Sequence, residues 1–180
     1  MDRFLYSLNE KELDYTDGDN IRLIDEHKEE KILNMIRQSL PCNCTDVTVG
    51  RRACVGATVY RSLLYTKRGK TNSYIVQIQL HHNQKRHFMS IDFFEKCQHS
   101  LYVFGDIVSE SDSEFSSYAK KSEYRNILSK TIDHFFVLVD ANVVPRKHLL
   151  PVECLIRKCI TIQLRTFTVY VPLSLNFEHD

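Results

Sequence analysis

Apolar and polar residues alternate one by one over three stretches of this chain, and that period of two most narrows its possible folds. In residues 74–80, Val76, Ile78 and Leu80 alternate with Gln77 and Gln79; in 88–93, Met89, Ile91 and Phe93 alternate with Ser90 and Asp92. Residues 159–171 carry Ile160, Ile162, Leu164, Phe167, Val169 and Val171 in a run interspersed with Thr, Gln and Arg. Successive side chains of an extended chain point to opposite faces, so this pattern marks strands with one buried side. The fold class expected is mainly β (α+β).

The remaining elements follow from turn chemistry and spacing. Residues 53–65 are β-branched and aromatic with Gly56 inside, which reads as one strand that bends sharply. Turns at Arg68, Gly69, Lys70 and at Asn83, Gln84, Lys85 would join the first three strands into a meander. A fourth strand is expected over 101–108 and a Ser/Asp/Glu-rich loop over 109–117. A helix over 118–131 carries Tyr124, Ile127 and Leu128 on one face, and a fifth strand spans 135–144. Residues 145–151 read as a proline-bounded connector, and 159–171 as one long final strand. Before all of these, Ile32, Leu33, Ile36 and Leu40 give a one-sided stripe to a helix over 25–40, with Asp25 and Glu26 in its first turn and Pro41 as its stop. Residues 1–20 form a polar, acidic arm. With 180 residues the chain can close one core. The expected organisation is an acidic arm and amphipathic helix over 1–45, then a β domain over 46–180 with a C-terminal strand extension.

A bent first strand, a meander, and a fifth strand after a helix can be closed into a small OB-like Greek-key barrel. Val55, Gly56, Ala57, Thr58 and Val59, followed by Tyr102, Val103, Phe104, Gly105, Asp106, Ile107 and Val108, resemble the first and fourth strands of the OB-fold subunits of replication protein A-like and telomere-capping complexes. The resemblance covers residues 53–144. It implies a barrel that binds and protects single-stranded DNA as a subunit of a nuclear complex. Two departures accompany it: the helix falls after the fourth strand, and the strand at 159–171 stands where those relatives place a partner-binding helix.

Charge is segregated along the chain. Residues 1–40 hold ten Asp/Glu against six Lys/Arg, whereas 47–91 hold eight basic residues and no acidic one. The basic side chains Arg51, Arg52, Arg61, Lys67, Arg68, Lys70, Lys85 and Arg86 are interleaved with Tyr60, Tyr65, Tyr74 and Phe88. Cations neutralise phosphates and flat rings stack on bases, so this block is the expected nucleic-acid-binding surface, with Tyr65 and Tyr74 among the stacking residues. An acidic protein partner would also be attracted to it, and many of the rings would be core.

No catalytic signature is present, neither a nucleophile elbow, a zinc-protease helix nor a P-loop. Asp133 and His134 do not read as acid/base partners, because neighbours on a strand point to opposite faces. The six cysteines Cys42, Cys44, Cys54, Cys97, Cys154 and Cys159 lack the paired spacing of a zinc site and are expected to be reduced thiols. No metal, cofactor or enzymatic activity is expected. No run is apolar enough to span a membrane, and the N-terminus lacks a signal-peptide core, so an intracellular, nuclear location is expected. The expected partners are single-stranded nucleic acid and other protein subunits in a hetero-oligomer, with no membrane. A protein-only adaptor is the alternative: the long apolar run Ile160, Ile162, Leu164, Phe167, Val169, Val171, Leu173, Leu175 could leave an edge open to a partner strand.

Overall fold

Strand β5 (His87–Cys97) is shared by three neighbours, and the rest of the molecule hangs on that sharing. In the computed structural model, which describes residues 21–26, 34, 47–65, 74–80, 85–98, 100–140 and 143–173, one edge of β5 is split between two strands. Its first half pairs with β4 (Ile75–Ile78) and its last residues with β2 (Val47–Val55). The other edge runs along β6 (Ser100–Ser109), which in turn pairs with β8 (Arg146–Pro151). Beyond β2 lie β1 (Ile21–Glu26) and β3 (Thr58–Arg61). Beyond β4 come β9 (Leu155–Gln163), β10 (Phe167–Pro172) and β7 (Val137–Asp140). All pairings are antiparallel, and the chain is mainly β. Among the described residues no pairing closes the sheet into a barrel.

Burial on both faces of β5 depends on one extra residue. The register slips between Ile91 and Phe93, leaving Asp92 as a bulge. That slip exchanges the faces, so Phe94 joins Met89 and Ile91 in the main core with Ala53, Tyr60, Val76, Ile78, Val103 and Leu155. Phe93 faces the other way, where it stacks on Phe104 at 4.8 Å beside Val47 and Val49. On that second face Phe88 also packs with Val137, Val139 and Cys159. The sheet curls far enough for β1 to touch β5 and β6 across the main core. Gly105 has a local steric reason: a Cβ there would overlap the Ser90 carbonyl of the paired strand.

Several expected elements take a different form. Residues 53–65 do not make one bent strand. Gly56 at φ 61° and Ala57 turn β2 into β3 as a two-residue hairpin, with positive φ at the first central position only, the pattern of a type II′ turn. Residues 159–171 likewise divide into β9 and β10, closed by the bond from Leu164 N–H to the Phe167 carbonyl. The 145–151 connector is a strand, β8. Asp25 and Glu26 belong to β1 and not to a helix; of the expected 25–40 helix Asn34 is helical and the remainder, like the 1–20 arm and the turn at 68–70, lies outside the described residues. Helix α1 (Ser122–Phe135) follows β6 as expected, starting four residues later, after a 3-10 turn at Phe115–Tyr118.

Candidate binding surfaces

The basic block is divided between the β2–β3 hairpin, level with the middle of β5, and the start of β5. On the β2–β3 hairpin Arg52 and Arg61 are a cross-strand pair, so their side chains share a face. Both guanidinium groups lie over the Tyr65 ring, 4.9 and 5.7 Å from its centre. Arg52 also donates from Nε to Asp25 at 2.6 Å, Asp25 reaching it from a left-handed backbone at φ 55°. Arg51, next in sequence, points to the opposite face, and its Nε is buried without a partner among the described residues.

Lys85 and Arg86 stand roughly 20 Å away along the strand. There the loop after β6 supplies their counter-charges: Lys85 is ion-paired with Asp112, and Arg86 Nε donates to Glu110 at 2.6 Å. The Asp112 bond raises the Lys85 pKa. Arg86 also reaches the carbonyls of Asp133 and His134 at 3.4 Å, tying this loop to the end of α1.

The structure therefore brings Arg52, Arg61 and Tyr65 together and sets Arg51, Lys85 and Arg86 apart from them. Lys67, Arg68 and Lys70 lie outside the described residues. Tyr74 is half-buried, while Tyr60 and Phe88 are core residues with no face to offer a base. Tyr65 already carries cations where a base would stack.

A second surface is apolar. Ten large apolar side chains are exposed among the described residues, and all but Leu63 fall between Tyr118 and Leu164. Three of them, Ile160, Ile162 and Leu164, line the β9–β10 hairpin; the first two neighbour Val171 and Val169 across the strands. Beyond Lys158 no described strand pairs with the β4-side edge of β9. Four more, Tyr118, Tyr124, Ile127 and Phe135, lie on the 3-10 turn and α1, and no residue of α1 is buried. The helix is held by its flanks: Ser116 N–H donates to Asp133 Oδ1 at 2.9 Å, Phe115 meets Phe136 at 6.4 Å, and Tyr118 meets Phe167 edge-on at 5.0 Å. Ala119, Tyr124, Ile127 and Leu128 line an open, entirely apolar cavity at the surface, of about 380 Å³. The helical spacing signalled this stripe; its being turned to solvent was not readable.

No protein-family model, curated protein or solved structure matches this chain. The surfaces must be read from their own chemistry.

Asp133 and His134 sit in the last turn of α1 and not on a strand, as does the carbonyl that holds Arg86. Asp140, exposed at the end of β7, accepts from Ser111 Oγ at 3.2 Å. Among the described residues no group of three or more His, Cys, Asp or Glu is disposed to hold a metal, and no helix is long and apolar enough to cross a membrane. The expectation of six reduced thiols fails at Cys97, which is disulfide-bonded at the end of β5 opposite Val47; its partner lies outside the described residues. Thiol state thus gives no argument for a reducing compartment. Cys54, Cys154 and Cys159 are not disulfide-bonded. Burial pushes the Cys159 thiol up to about 12, far from a reactive thiolate.

His87 is one of the buried titratable groups, as are Glu95 and Lys158. Its Nδ1 shares a 2.9 Å hydrogen bond with Ser109 Oγ, and its Nε2 is buried without a partner among the described residues. Burial lowers its pKa below the ordinary 6.5, against the pull of Glu110 and with the push of Lys85.

Proposed function

We propose that this chain is a non-enzymatic binding module that docks a protein partner on its C-terminal layer. The observation that carries the reading is the concentration of exposed apolar side chains between Tyr118 and Leu164, set against a β5–β6 region that buries its own. Contiguous apolar surface left open on a water-soluble fold marks sites of association. A strand edge left open among the described residues can take up a partner strand, and an exposed amphipathic helix can pack its apolar face against a partner. The test is quantitative co-purification of tagged full-length protein from its own cells, wild type against an Ile160→Asp/Ile162→Asp variant. The reading expects a stoichiometric partner retained by the wild type and lost by the folded variant; recovery unaffected by the substitutions overturns it.

A second reading is favoured by one observation, the clustering of Arg52, Arg61 and Tyr65 on the hairpin that opens the acid-free block. It makes the chain an OB-like subunit of a nuclear complex that binds single-stranded DNA. Anisotropy titration with a labelled oligonucleotide tests it: salt-dependent binding weakened by Arg52→Ala/Arg61→Ala supports it, and no binding at low salt removes it.

A further inference from the structure

We infer that the apolar cavity on α1 receives the apolar side chains of an acidic amphipathic segment of the partner protein, an inference that rests on the protein-docking reading above.

The cavity walls are Ala119, Tyr124, Ile127 and Leu128, with no polar atom exposed in them. Its volume, about 380 Å³, falls within the range of cavities that hold ligands, about 300–1,000 Å³. Such a lining gives hydrogen-bonding groups nothing to pair with, so the occupant's buried part is aliphatic or aromatic. Tyr124 and Ile127 are more than half exposed and already solvated, so covering them removes apolar surface from water without unfolding anything.

The rim supplies the sign of the charge. Lys120, Lys121, Arg125 and Lys130 lie in the same stretch of chain as the cavity residues, against the single carboxylate of Glu123, and Lys121 and Arg125 stand at the opening itself. None of the four cations makes an ion pair with a described residue, whereas Lys85, Arg86 and Lys147 elsewhere on the molecule each meet a carboxylate. Lys121 holds its ammonium 5.7 Å from the centre of the Tyr124 ring, directly beside the opening. Arg125 donates Nε to the Ala119 carbonyl at 2.9 Å, which fixes its guanidinium at the same mouth. Cations left without counter-charges around an apolar opening complement Asp and Glu flanking Leu or Phe. A helical segment presents that arrangement at three- and four-residue spacing.

Fluorescence anisotropy on the full chain tests the inference with three synthetic peptides. One alternates leucine and glutamate at helical spacing, the second has every glutamate replaced by lysine, and the third has every leucine replaced by serine. Vesicles of equimolar phosphatidylserine and phosphatidylcholine form a fourth arm. The expected result is binding of the leucine–glutamate peptide alone, weakened about tenfold by Ile127→Asp and again by Lys121→Glu. Both positions are exposed, and circular dichroism verifies that the variants keep the wild-type fold. Tyr124→Ala provides a second apolar substitution if Ile127→Asp does not fold.

Equal binding of the lysine peptide, equal binding of the serine peptide, vesicle binding that exceeds peptide binding, or affinity unchanged in the folded variants each overturns the inference. If co-purification still yields a partner sensitive to Ile160 and Ile162 while the peptides fail, the docking reading stands and only the acidic, α1-directed part falls. If both experiments fail, both readings fall.

Discussion

β5 and α1 are neighbours in length and opposites in burial: seven of the eleven residues of β5 are buried, and none of the fourteen of α1. Both carry large apolar side chains at the period proper to their structure. The difference lies in what surrounds them. β5 is paired on both edges and, through its bulge, feeds side chains into both faces; α1 touches mainly the short turn that precedes it. Apolar side chains on β5 therefore hold the fold together, and those on α1 are left over from it.

Substitutions can break or sharpen this contrast. The largest effect is expected from Gly105→Ala, because the added carbon meets backbone of β5 that has nowhere to go. Loss of more than about 4 kcal/mol, or outright failure to fold, is expected in urea unfolding; a wild-type midpoint would show that β6 can move away from Ser90. Next comes Phe94→Ala, which empties a fully buried position. It is expected to cost about 3–5 kcal/mol in the same measurement.

Acidification should act on the same strand with smaller effect. The folded-state pKa of His87 lies below the ordinary 6.5, so the unfolded chain binds the proton more readily. The stability His87 confers is complete above pH 6.5 and is lost as the pH falls from there through the folded-state value. Urea midpoints for wild type and His87→Gln across this range should show a steeper acid-side loss in the wild type; parallel curves would remove His87 as the cause. Smallest of all is Ile162→Asp on the hairpin, with an expected stability change within about 0.5 kcal/mol. A loss as large as that of Phe94→Ala would mean that β9 and β10 belong to the core after all.

Sequence pattern revealed β4, β5 and β6 because each is a short run rich in β-branched, aromatic and regularly spaced apolar residues, and α1 because its apolar spacing is helical. It missed β8, since Arg146, Lys147 and His148 are all exposed on an edge strand and no alternation survives there. It merged β2 with β3 and β9 with β10 because each hairpin resumes an apolar alternation after a very short turn. Pairing was not legible at all: nothing local tells Val76 that its neighbours are Met89 and Lys158. For the same reason the acid-free block looked like one surface. The carboxylates that meet it, Asp25, Glu110 and Asp112, all lie outside the block in sequence and arrive through the fold.

The split edge of β5 has a consequence for synthesis. A ribosome delivers β2, β4 and β5 together, yet β4 keeps one bare edge until β9, far later in the sequence, has been made. Contacts so distant along the chain form slowly, because the long loop must be closed before any pairing rewards it. During elongation the nascent chain thus presents an unsatisfied strand of Ile75, Val76 and Ile78, the kind of segment that chaperones shield until release.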